Sequence, residues 1–194
     1  GIADVSHVAF AKTFGIDVII TDHHEPGEIL PEAYAIVNPK VGGNYPEKML
    51  CGSGVAYKLV QAILAKNRFG LKPGEEKWLL DMVGIATLSD MVPLIGENRI
   101  FGVYGLLVLR RCRRLGLQKL LKKININPKY LTEDDVGFMI SPRINAASRM
   151  GVSRDAFELL TTTDELRAEE LVNKLEKVNK ERKGTTAFLV KEVK

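Results

Sequence analysis

Asp17-Val18-Ile19-Ile20-Thr21-Asp22-His23-His24 is the stretch that decides how this chain is read. Val18, Ile19 and Ile20 form a β-branched run too short for a helix. A strand apolar on both faces suits the interior of a parallel sheet. Upstream, Asp4 to Phe14 reads as a short helix with Val5, Val8 and Ala9 on one face, and Gly15 ends it as a C-terminal cap. Downstream, Ala33 to Val37 reads as a second strand, closed by Asn38-Pro39. Helix, strand, loop and strand with short connections is the rhythm of an α/β sheet. Thr21 to His24 then lie just past the carboxyl end of a strand, where ligand sites gather in such sheets.

After residue 50 the chain turns helical. Ser53 is placed to cap a helix carrying Val55, Ala56, Leu59, Val60, Ile63 and Leu64 on one face. Trp78, Leu79, Met82, Val83 and Ala86 repeat the pattern, as do Ile100, Val103, Tyr104, Leu107 and Val108. Thr132 and Asp135 resemble a capping box ahead of Val136, Met139 and Ile140. A further helix is expected from about Asp155 to Leu160. From Asp164 onward the sequence is highly charged, with Leu171, Val172, Leu175 and Val178 as a narrow apolar stripe. That predicts a long, mostly solvated helix, ended or kinked at Gly184, with a tail of helix or strand beyond it.

The 194 residues are 45% hydrophobic and 27% charged, ordinary for a globular protein, with a net charge of +4 that permits a polyanionic partner without requiring one. No apolar run approaches the roughly 20 residues of a membrane span. No secretory signal is expected from GIADVSHVAFAKTFG. Cys51 and Cys112 form no metal-binding pattern and read as free thiols of a cytoplasmic protein. Because the chain begins with glycine, it is expected to be a processed product or an excerpt of a longer protein.

Four groups of residues invite chemistry. Asp22, His23 and His24 hold two of the three histidines. In extended backbone, consecutive side chains point to opposite sides, so one histidine is expected to bind a metal and the other a substrate; a polar turn is the plainer reading. Asp90, in SDMVPL, is costly between a helix end and an apolar run unless paired or metal-bound; a solvated helix end is the alternative. Ser141 to Gly151, SPRINAASRMG, reads as a loop whose Arg143, Asn145 and Arg149 match phosphate oxygens. Gly52, Ser53 and Gly54 form a glycine-rich helix entry that suits an anion or close packing equally. The basic run Arg110, Arg111, Arg113, Arg114, Lys119, Lys122 and Lys123 reads as a solvated face that could also follow a phosphate backbone.

Together, VIITDHHEP, ILPEAYAIVNPK, MLCGSGVAYKL, GIATLSDMVPLIGENR and SPRINAASRMG resemble the RecJ branch of the DHH phosphoesterases. The five segments stand in the family's order and cover residues 1 to about 183. The resemblance implies the C-terminal part of a parallel-sheet, Rossmann-like DHH domain over residues 1–160. A connecting helix over 161–194 would lead towards a second domain. It implies a two-metal site of manganese or magnesium, with His23 and Asp90 as ligands, His24 at the scissile phosphate and Asp22 orienting the histidines. Arg143, Asn145 and Arg149 would hold substrate phosphates. The implied parent is a 5′-to-3′ exonuclease on single-stranded DNA in repair and recombination, with a single-strand-binding protein or helicase as further partners. Two alternatives are a phosphoesterase of short oligonucleotides or cyclic dinucleotides, and a catalytically silent replication scaffold. Two departures stand out. The family's earlier aspartates lie upstream of the Gly1-Ile2 pair, so the chain alone is expected to be inactive, and Ser148 replaces a usual glycine.

Overall fold

The computed structural model describes residues 1–193, and the chain divides into two compact units, Gly1–Gly105 and Leu106–Lys194. In the first unit, α1 (Val5–Thr13) leads into β1 (Ile19–Thr21), which pairs in parallel with β2 (Ala35–Val37). The register sets Ile19 opposite Ala35, Ile20 opposite Ile36 and Thr21 opposite Val37. Gly15, at φ +69, ends α1 as expected. The sheet is smaller than the sequence suggested, three residues per strand, and β1 is not covered on both faces: Ile20 is buried while Ile19 is 60% exposed.

The rest of this unit is helical, with α2 (Gly52–Lys66), α3 (Leu80–Ser89) and α4 (Gly96–Leu109). The N-cap of α2 is Cys51, with extended dihedrals, so Ser53 lies inside the first turn instead of capping it. The predicted Trp78–Ala86 helix divides. Glu75–Leu79 is a 3₁₀ turn, and the α-helix proper begins at Leu80. A Cβ on Gly84 would stand 2.7 Å from the Cα of Gly105, so only this pair of glycines lets α3 and α4 cross so closely. Ile2, Ile20, Leu50, Val55, Val83 and Phe101 form the core that seats both helices.

The second unit contains α5 (Leu115–Lys123), α6 (Ser141–Arg149), α7 (Ser153–Thr161) and α8 (Glu165–Val193). Leu117, Leu120, Leu131, Val136, Ile140, Leu159, Leu171 and Leu175 are wholly buried at its centre. The capping box forms. The Thr132 N–H donates to the Asp135 carboxylate at 2.9 Å, and the Asp135 N–H donates back to Thr132 Oγ1 at 3.3 Å. It opens a π-helical turn, Asp135–Ile140, that runs straight into α6. SPRINAASR is therefore helix and not loop. Helix α8 passes through Gly184 without a break, so the tail up to Val193 is helical. Lys194 lies outside the described residues.

Candidate metal centre

The strand geometry of β1 stops at Thr21, and Asp22 is the pivot of the turn that follows. Its carboxylate is buried and accepts four hydrogen bonds. The N–H of Ile2 donates at 2.6 Å, the N–H of His23 at 2.7 Å, the N–H of His24 at 3.1 Å, and His24 Nδ1 lies at 2.7 Å. Burial by itself would raise the pKa of Asp22. The donors from Ile2, His24 and His23 outweigh it and hold the group well below the usual carboxylate range. Asp22 is thus a permanent anion that fixes the backbone of both histidines. With Nδ1 of His24 donating to Asp22, Nε2 is left as the acceptor on a ring that is 72% exposed.

The two imidazoles are not thrown to opposite sides. Their centroids lie 4.3 Å apart with the planes tilted by 45°. One ligand atom from each of Asp22, His23 and His24 falls within 4.8 Å of the others. His23 is half-buried, and its Nδ1 faces Asp90 Oδ2 at 3.6 Å. Asp90 is the C-cap of α3, and the next residue, Met91, is left-handed at φ +56. That conformation costs a non-glycine residue about 1–2 kcal/mol and ends the helix at the position that aims Asp90 at His23. The Asp90 side chain remains 44% exposed, so its desolvation is only partial.

Two further contacts complete this end of the first unit. The first turn of α2 abuts His23, since a Cβ on Gly52 would lie 3.3 Å from His23 Cδ2. Gly54 packs on Phe101 instead. Asn38, buried just after β2, donates from Nδ2 to the His24 carbonyl at 3.0 Å, and its Oδ1 accepts from Lys40 N at 2.9 Å. Sequence reasoning missed Asn38, although its place before Pro39 at a strand end was a usable sign. It also missed Ile2 as a donor to Asp22.

The donor set suits a divalent cation. His23 Nδ1 and Asp90 Oδ2, 3.6 Å apart, are close enough for one ion with bonds of about 2.0–2.1 Å to be held by both. A mixed imidazole and carboxylate set favours manganese over calcium.

Arg143, Asn145 and Arg149 belong to α6 in the second unit. Arg143 is buried, and its guanidinium is engaged at three nitrogens. Nε and Nη2 donate to Glu176 of α8 at 2.6 and 3.3 Å, and Nη1 donates to the Met139 carbonyl at 2.6 Å. Asn145 and Arg149 are exposed, one turn apart on the same helix.

A model of the DHH family, N-terminal domain, matches residues 1–87. The chain is 45% identical over 193 residues to the single-stranded-DNA-specific exonuclease RecJ of Bacillus subtilis (strain 168), covering 99% of this chain and 24% of that protein. It is 42% identical over 194 residues to the protein of the same name from Haemophilus influenzae, covering 96% and 34%. It overlays the crystal structure of RecJ in complex with Mn2+ from Thermus thermophilus with a TM-score of 0.87 at 32% identity, covering 99% of this chain and 28% of that one. The chain thus spans between a quarter and a third of the length of these relatives. The Asp22-His23-His24 turn after a parallel strand, the matched domain and these likenesses agree: residues 1–87 carry the N-terminal domain of the DHH family, and almost the whole chain is similar to RecJ.

Proposed function

We propose that the full-length protein is a metal-dependent phosphodiesterase that degrades single-stranded DNA from the 5′ end, in repair and recombination. The observation that carries this is the approach of His23 Nδ1 to Asp90 Oδ2 at 3.6 Å, beside a histidine pair clamped by Asp22. His23 and Asp90 are the residues that would hold manganese or magnesium. When bound, such an ion polarises a phosphoryl oxygen and supplies hydroxide from water at neutral pH.

The chain's own residues do the rest. Asp22, anionic throughout, fixes the tautomer of His24, so that Nε2 faces the scissile phosphate. Asn38 holds the His24 carbonyl and keeps the turn from swinging. The N–H groups of Gly52, Ser53 and Gly54, at the start of α2 beside His23, suit a phosphate oxygen. Asn145 and Arg149 hold phosphates of the strand. Arg143 reaches a phosphate only by exchanging Glu176 for it. The DNA-processing role fits a cytoplasmic protein that receives single strands from a single-strand-binding protein or helicase. Among the described residues, no helix is long and apolar enough to cross a membrane.

The test is digestion by the full-length protein of 5′-labelled and 3′-labelled single strands and of the matching blunt duplex, with manganese, magnesium or chelator. Mononucleotides released from the 5′ end of single strands, only with metal, are expected. Equal attack on the duplex, or undiminished cleavage in chelator, would refute the reading.

A further inference from the structure

Charge is divided unevenly along the chain. Residues 1–105 carry nine Lys and Arg against twelve Asp and Glu, a net −3. Residues 106–194 carry nineteen against twelve, a net +7. Within the second unit, a groove of about 300 Å³ runs between α5 and α8. Its α5 wall is Lys119, Lys122 and Lys123; its α8 wall is Glu169, Val172 and Asn173. Both sets follow the i, i+3, i+4 spacing that puts side chains on one helical face, so the two stripes look at each other.

The groove is held in shape. Leu117, Leu120 and Leu121 bury the other face of α5, and Val172 is a buried floor. Gly116 lets α5 lie directly on α7: a Cβ there would stand 1.8 Å from the Leu159 carbonyl oxygen. Lys119 is drawn to Glu165, at 3.4 Å. Exposed Lys122 and Lys123 then face Glu169 as the one carboxylate of the lining, with the Asn173 amide as a further donor.

We propose that this groove binds the phosphate backbone of a single-stranded nucleic acid, as a second contact housed within the C-terminal unit. The inference rests on the nuclease reading above. It names a surface that takes no part in bond cleavage. The lining has no aromatic ring on which a base could stack. It offers point charges and an amide, the chemistry of sequence-independent backbone contact. Lys122 and Lys123 also complement the C-terminal dipole of α5, and the experiment separates that role from binding.

The experiment uses the full-length protein in chelator, so that binding is read without cleavage. A labelled long oligothymidylate is titrated by fluorescence anisotropy across a series of salt concentrations. The variants are Lys122→Ala/Lys123→Ala and Lys122→Arg/Lys123→Arg. The alanine pair is expected to weaken binding several-fold at low salt. The slope of log K against log salt should become shallower by about 1.4, roughly 0.7 for each lost single-strand phosphate contact. The arginine pair should restore both. Turnover of a dinucleotide with metal, which offers a single phosphodiester, should stay unchanged. Unaltered affinity and slope in the alanine pair would overturn the proposal. So would a lowered melting temperature with binding intact, which would leave the lysines as a helix cap alone. So would an acidic peptide that binds through these lysines while DNA does not. If the protein binds DNA through the groove yet cleaves none, the nuclease reading falls and the groove stands.

Discussion

His23 Nδ1 stands 3.6 Å from Asp90 Oδ2, although the two residues are sixty-seven positions apart and come from a turn and a helix end. Each is held from behind. Asp22 fixes the backbone of His23, and left-handed Met91 ends α3 at Asp90. In the full-length protein, His24→Ala and Asp90→Ala are each expected to lower nuclease turnover by about 10²-fold or more, since metal-assisted transfer needs both ligand and phosphate contact. Circular dichroism should be unchanged. A folded variant that keeps normal turnover would remove its residue from the mechanism.

The 194-residue chain on its own should bind manganese weakly or not at all. Asp22 is engaged by four donors and His24 is read as the phosphate contact, which leaves His23 and Asp90 as the proposed ligands. Isothermal titration would show little heat. Tight binding of two ions would mean that other ligands exist.

Arg143 and Arg149 should part company. Arg143→Ala strands Glu176 in a mostly buried setting, and breaking such a pair costs about 3–5 kcal/mol. Its melting temperature should fall before anything else is read. Arg149→Ala lies on an exposed face and should change stability by about 0.5 kcal/mol or less. It should flatten the salt dependence of single-strand binding by about 0.7 in slope. Thermal melts and salt-dependent affinity on both variants decide this; an Arg149→Ala protein with undiminished affinity at every salt concentration would make the residue a bystander.

How much of this was legible follows from particular residues. The apolar stripe of α8 gave its helix away because Leu171, Val172 and Leu175 are buried along one face. The stripe read for α4 marked the helix but not its packed face: Ile100, Val103, Tyr104 and Leu107 are exposed, and Phe101 and Leu109 are buried instead. SPRINAASR was misread as a loop for a reason visible in hindsight. Its proline falls in the first helical turn, where the missing N–H is no loss, and its alanines are the best helix formers. The Asp22-His23-His24 turn was legible as a site, but its geometry was not. That geometry depends on the N–H of Ile2, twenty residues upstream. Arg143 was read as a phosphate contact, and its pairing with Glu176 of α8 was not legible because the partner lies in a separate element further along the chain.

Acid and alkali should loosen the first unit through one cluster. Glu97 accepts from Lys58 at 2.7 Å and from the Tyr45 hydroxyl. Burial pushes the Glu97 carboxyl up, but the Lys58 and Tyr45 bonds together hold it below its ordinary 4.5. The bond to Glu97 raises Lys58 above 10.5. The Glu97 contribution is therefore present above pH 4.5 and is lost as pH falls through its lower folded value. The Lys58 contribution is present below pH 10.5 and is lost as pH rises through its higher one. A Glu97→Gln variant should lose part of both limbs in a plot of melting temperature against pH. A superimposable profile would show that the cluster carries no stability.

The central claim is that His23 and Asp90 hold a catalytic cation, and manganese affinity reads it most directly. Electron paramagnetic resonance of free manganese, titrated into the full-length protein and its His23→Ala and Asp90→Asn variants, separates bound from free ion. Both variants are expected to bind at least one ion about tenfold more weakly than the parent, with the fold intact. Parent-like affinity in either variant would contradict the account.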